Sequence, residues 1–171
     1  MKVRPLIIDG KTREYVTGTP HEVTERLFAV RRVSRINDGL PDDPASKWQW
    51  QRGGWLLVDR LTGRISPLTL PDFDVMYSPA SWFRDYIAYC GVSEDGSKTY
   101  TIVAQLNLRK PVLKKAVAEG VADDAAPDSA CRTPIWQRAP IRVSFELSGS
   151  DKQTLAIRGH AVDMVNDPNE D

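Results

Sequence analysis

Four groups of residues in this 171-residue chain could do chemistry: its carboxylates, its two histidines, its two cysteines, and its clustered arginines and tryptophans. Asp59, Asp72, Asp74 and Asp85 lie in a turn-rich stretch. If two of them converged on a cleft within ~10 Å, they would form the acid and base pair of a glycoside hydrolase. His21 and His160 are far apart in sequence, and each stands beside turn-forming residues. A general base needs an orienting carboxylate and a nucleophile, and the adjacency of Glu22 to His21 supplies neither, so surface histidines are expected. The sequence has no GxSxG, HExxH, GxxxxGK[ST] or GxGxxG. It therefore assigns no catalytic residue and no cofactor. Asp38, Asp42 and Asp43 in NDGLPDDPASK would need alternating spacing and a closing bidentate carboxylate to hold calcium, and the stretch has no Glu. A solvated acidic loop and no metal site are expected.

Recognition has more support. Read as one strand, Trp82-Phe83-Arg84-Asp85-Tyr86 puts Trp82, Arg84 and Tyr86 on one face and Asp85 on the other. Aromatics and Arg carry much of the energy at interfaces, which makes these three the candidate recognition face. The competing expectation buries Phe83, Ile87 and Tyr89 and holds Arg84 or Asp85 in an ion pair. Arg26, Arg31, Arg32 and Arg35, with Arg4 and Arg13, could contact phosphates, but Glu22, Glu25 and the acidic loop offset them. With 23 basic and 23 acidic residues the chain has no net field to steer a polyanion, so a solvated strand face and no nucleic-acid partner are expected. Trp48 and Trp50 would stack on sugars or bases if exposed; burial in the core is expected instead. Cys90 and Cys131 are too far apart for a CxxC metal or redox site. They form either a disulfide, worth roughly 3 to 4 kcal/mol in an oxidising compartment, or two unrelated thiols.

The elements that position these residues read as hairpins. VRPLIIDGKTREYV turns at Asp9-Gly10. Glu25 to Ile36 mixes helical and strand spacing, and its β-branched content with the Asn37-Asp38-Gly39 stop favours a strand. Trp48 to Gln51 alternates, Gly53-Gly54 breaks it, and WLLVD, the RLTGR turn and Ile65 to Leu70 make a second hairpin. Trp82 to Tyr89, the SEDGSK turn and Tyr100 to Leu106 make a third. Residues 117–132 turn to Ala, Asp, Gly and Pro, a loop or one short helix. Ile141, Val143, Phe145 and Leu147 alternate strictly, and SGSDKQ leads back through Thr154 to Ile157 as a fourth hairpin.

The fold expected is all-β or β-dominated, with antiparallel hairpins in a β-sandwich, open barrel or propeller-like sheet and at most one short helix. One domain is expected over residues 1–165, followed by a fraying acidic tail at 166–171. Within residues 55–103, Val58-Asp59, Thr62-Gly63-Arg64, Ser78-Pro79, Trp82, the strand Tyr86 to Tyr89, and Asp95-Gly96 follow one another in an order that resembles a blade of TolB-like and WD40-like β-propellers. Ser78-Pro79-Ala80-Ser81 departs from the usual Ser-Pro-Asp-Gly, and no second copy follows at ~40 to 45 residues. The resemblance thus implies a blade-like unit embedded in a smaller β domain. The chain as a whole is similar in character to bacterial proteins.

No run approaches the ~20 apolar residues of a membrane span, and MKVRPLIIDG has no signal-peptide core, so no membrane insertion is expected. The compartment is the cytoplasm, or the periplasm or exterior if the cysteines pair and a signal has been removed. The function expected is a non-enzymatic binding module for a protein or small ligand, acting through the Trp48 to Tyr89 region. The alternatives are a glycosidase-like hydrolase using the dispersed carboxylates and a structural subunit of a larger assembly.

Overall fold

The computed structural model of the protein describes residues 6–8, 11–37, 39, 47–106, 108, 110–117, 131–147, 152–158 and 161–165. These form strands, turns and irregular segments, with no helix among the described residues. All strand pairs are antiparallel, and the three sheets stay open. No described helix is long and apolar enough to cross a membrane. The chain divides into two compact units, Met1–Thr69 and Leu70–Asp171.

The first unit is a five-stranded meander of β1 (Leu6–Ile8), β2 (Lys11–Glu22), β3 (Leu27–Asn37), β4 (Trp48–Asp59) and β5 (Ile65–Leu68), paired in chain order. The ambiguous Glu25 to Ile36 run is the strand β3, and its Ala29, Val30 and Val33 are buried along with Val23 and Val58. Gly53-Gly54 does not end the strand. β4 runs continuously through them, and the register shifts between Arg31 and Val33 on the facing strand. A Cβ on Gly53 would stand 3.2 Å from Arg32 Cγ, so the glycine admits a bulge where a larger residue would crowd its neighbour. The turn after β4 is set by Asp59, whose Oδ1 accepts from the Leu61 and Thr62 amides, and by Gly63 at φ +71°.

The second unit has two four-stranded sheets. One is β6 (Ala80–Phe83), β7 (Tyr86–Val92), β8 (Thr99–Gln105) and β9 (Leu113–Ala116). The other is β10 (Ile135–Arg138), β11 (Ile141–Phe145), β12 (Gln153–Arg158) and β13 (Ala161–Val165). Tyr86, Ala88, Cys90 and Val103 of the first sheet pack against Val143, Phe145, Leu155 and Ile157 of the second. The alternation read at Ile141, Val143, Phe145 and Leu147 is the second sheet's contribution to this core. Phe83 stacks on Trp136 with ring centroids 5.4 Å apart. The Cys90 and Cys131 sulfurs lie at disulfide distance, with Cα atoms 6.4 Å apart, and they link β7 to the residue that bridges to Leu147.

The opposite face of the first sheet carries Ile87, Tyr89 and Ile102, all fully buried. Residues 70–79 contribute to that cover. The Tyr89 hydroxyl donates to the Pro71 carbonyl at 2.7 Å, and Phe73 meets the Tyr89 ring edge-on at 5.2 Å. Asp72, at φ +52°, accepts from the Val92 amide.

One expected strand is in fact two. Trp82 to Tyr89 does not run straight: Arg84, at φ +53°, and Asp85 form a two-residue turn closed by the pair Phe83 and Tyr86. The Asp9-Gly10 turn, Arg4, Asp38, Asp42, Asp43, His160, residues 118–130 and 148–151, and the acidic tail lie outside the described residues.

Candidate functional site

The turn at Arg84-Asp85 redistributes the expected recognition face. Chain reversal makes Trp82 the cross-strand partner of Ile87, and Phe83 the partner of Tyr86. Direct partners in an antiparallel pair share a face, so Trp82 and Tyr86 point to opposite sides of the sheet. Tyr86 is only 8% exposed and belongs to the core between the two sheets. Burial and the neighbouring Asp85 carboxylate push its hydroxyl pKa up. Arg84 alone of the three is exposed, with its guanidinium 5.5 Å from the Phe83 ring. Trp82, Arg84 and Tyr86 therefore form no common surface. Asp85 is not across a strand from Arg84 either; its carboxylate accepts from Gln105 Nε2 at 2.7 Å, which pins the turn to β8.

The four carboxylates of the hydrolase alternative each hold a structural contact. In the first unit, Asp59 accepts from Arg26 Nε at 2.8 Å. That bond, followed by the turn amides of Thr62 and Leu61, holds its carboxyl well below the usual range. In the second unit, Asp72 pairs with Lys114 at 2.8 Å, and this bond raises the Lys114 pKa. Asp74 accepts from the Met76 and Tyr77 amides. An open cavity of about 430 Å³ is lined by Leu70, Asp72, Phe73, Asp74, Val92, Ser93 and Glu94. Two of its three carboxylates are thus engaged in fixing the 70–79 loop. No grouping of His, Cys, Asp and Glu fit to hold a metal occurs among the described residues. His21 is half-buried on β2 opposite Ala29, where a surface histidine was expected.

The arginines and tryptophans of the first unit do come together. Trp48 and Trp50 stand two apart on β4, so both indoles project from one face about 6.6 Å apart along the strand. They are 48% and 55% exposed, contrary to the expected core placement. Their cross-strand partners are Asn37 and Arg35, and Arg52 faces Val33. Arg31, Val33 and Arg35 alternate along β3, so Arg31 stands on the same face, opposite Trp55 across the bulge. One face thus carries Arg31, Arg35, Arg52, Trp48, Trp50 and Trp55.

Cation–π contacts order this face. The Arg35 guanidinium lies 4.9 Å from the Trp48 ring centroid, and that of Arg31 lies 5.3 Å from that of Trp55. Half-burial, and then the charge of Arg52, lowers the Arg31 pKa. Arg31 and Arg52 are therefore close enough to feel one another. Among the described residues neither Arg35 nor Arg52 has a carboxylate partner, whereas Arg26, the fourth member of the expected cluster, is held by Asp59 at the other end of the sheet. Arg32 belongs to the opposite face of β3 and packs beside Gly53. The sequence signal was present in the two-residue spacings, but exposure and cross-strand register made the cluster.

No protein family, curated protein or solved structure was found to match this chain.

Proposed function

We propose that the protein is a non-enzymatic binding module whose contact surface is the arginine–tryptophan face of β3 and β4. The observation that carries this is the pair of half-exposed indoles, Trp48 and Trp50, beside the guanidiniums of Arg35 and Arg52, which have no carboxylate partner among the described residues. Large exposed aromatics are costly to hydrate, and each gains when a ligand covers it. Arginine offers a planar fork of donors for a carboxylate, sulfate or phosphate. The structural duties of Asp59, Asp72, Asp74 and Asp85 weigh against a hydrolytic pair. The nearness of Cys90 to Cys131 supports an oxidising compartment.

Thermal unfolding of the wild type and of Trp50→Ala, each screened against oligosaccharides, oligonucleotides and peptides, tests this function. A ligand at about 100 times its Kd stabilises the native state by about 2.7 kcal/mol. The expected result is a ligand that raises the wild-type midpoint and fails to raise that of Trp50→Ala. Equal stabilisation of the two proteins by every ligand that binds would overturn the assignment of this face.

A further inference from the structure

We infer that the arginine–tryptophan face takes an anionic polysaccharide, with uronate or sulfate groups on Arg35 and Arg52 and sugar rings on Trp48 and Trp50. This rests on the binding face proposed above and names the chemistry of its ligand.

Three observations converge on that class. The indoles are platforms, not pocket walls: Trp48 and Trp50 follow each other along one extended strand, so the surface suits a linear ligand better than a compact one. Arg35 lies over the Trp48 ring and so sets a cation against an aromatic plane. A sugar residue bearing a carboxylate or sulfate offers complements to both, an apolar ring face for the indole and an anion for the fork of donors. Arg52 faces Val33 one further alternation along the strand, which extends the positive charge in the direction of the tryptophans.

The charge of the whole chain and its compartment favour this ligand over a nucleic acid. Single-stranded nucleic acid carries one phosphate per nucleotide and is typically met by a long cationic groove. Here three arginines share the face of a chain whose 23 basic residues only equal its 23 acidic ones. An oxidising compartment, which the position of Cys90 against Cys131 supports, is also where such polymers are met.

The test uses the full chain with four purified probes: polygalacturonate, dextran sulfate, uncharged dextran and a single-stranded oligothymidylate, followed by calorimetry and tryptophan fluorescence. Binding of polygalacturonate or dextran sulfate is expected, with affinity falling as salt rises. Trp50→Ala and Arg52→Gln are each expected to weaken that binding roughly 30-fold, as buried Trp and Arg anchors do at interfaces. Both positions are exposed, and unchanged urea midpoints would show that the variants fold. Equal or tighter binding of oligothymidylate, equal binding of uncharged dextran, or no binding of either anionic polymer would overturn the polysaccharide. If a different ligand then proves sensitive to Trp50→Ala, the binding face stands without it. If an anionic polymer binds with full affinity to both variants, the face falls as well.

Discussion

Gly91→Ala is expected to destabilise the second unit by about 2 to 3 kcal/mol. A Cβ built on Gly91 would lie 2.6 Å from Ile102 Cδ1, 2.8 Å from the Asp72 carbonyl oxygen and 3.1 Å from Asp72 Cβ. The Ile102 methyl can turn away, but the Asp72 carbonyl cannot easily do so. It accepts from the Val92 amide at 2.9 Å, and Asp72 is already held at φ +52°. Forcing a methyl into a packed site costs about 1 to 3 kcal/mol. Weakening the Asp72 to Val92 bond adds about 0.5 to 1.5 kcal/mol. Against these, alanine restricts the unfolded chain and returns about 0.4 to 1 kcal/mol. Gly54→Ala is the matched control, because a Cβ there meets nothing within 4 Å, so only the unfolded-state gain should remain. Urea unfolding followed by circular dichroism measures both. A Gly91→Ala protein within about 0.5 kcal/mol of wild type, or one no less stable than Gly54→Ala, would refute the close approach of the 70–79 loop to β7.

Tyr89→Phe removes the donor to the Pro71 carbonyl and should cost about 1 kcal/mol in the same unfolding assay. Burial and then the Asp72 carboxylate raise the Tyr89 pKa in the fold, so its contribution is complete below the ordinary tyrosine value of about 10 and is lost as pH rises beyond it; the loss should be smaller in Tyr89→Phe. Asp95 titrates the other way: hydrogen bonds from Ser93 and then Ser97 lower its carboxyl to about 2, so its contribution is present above about pH 4 and is lost as pH falls from there toward 2. Asp95→Asn should flatten that part of the acid limb of the stability curve. Intact mass should rise by about 2 Da on reduction. Replacing both cysteines with alanine should cost about 4 kcal/mol on the chain-entropy treatment of a 41-residue separation; an unchanged mass or midpoint would remove the Cys90–Cys131 tether.

Much of the architecture is local and therefore legible in the residues. The strict alternation from Ile141 to Leu147 sets the face that enters the core, and Thr62-Gly63 and Asp95-Gly96 mark turns whose glycines adopt positive φ. The Arg84-Asp85 turn is local too, but its signal in the residues is faint. It puts an arginine at φ +53°, where glycine or asparagine is usual, and Asp85 alone is a weak turn signal. On one straight strand, Trp82, Arg84 and Tyr86 would share a face. Gly53-Gly54 looked like a break because a bulge and a strand end use the same glycines, and only pairing with β3 tells them apart. Trp48 and Trp50 show what alternation leaves open. Their spacing puts both rings on one side of β4, but whether anything covers that side depends on neighbours distant in sequence. The placement of Arg31 opposite Trp55 and Arg35 opposite Trp50 is likewise a matter of register across the bulge, which no single strand encodes.

Trp48 and Trp50 form an exposed surface made cationic by the arginines around them. Quenching of tryptophan fluorescence by iodide and by caesium, in the wild type and in Trp48→Phe/Trp50→Phe, is the test of that surface. Relative to free N-acetyltryptophanamide, iodide is expected to quench a large part of the wild-type emission more efficiently than caesium, added salt to narrow the difference, and the double variant to lose this component. Equal quenching by the two ions on that scale, or an iodide preference undiminished in the double variant, would show that the face is not as described.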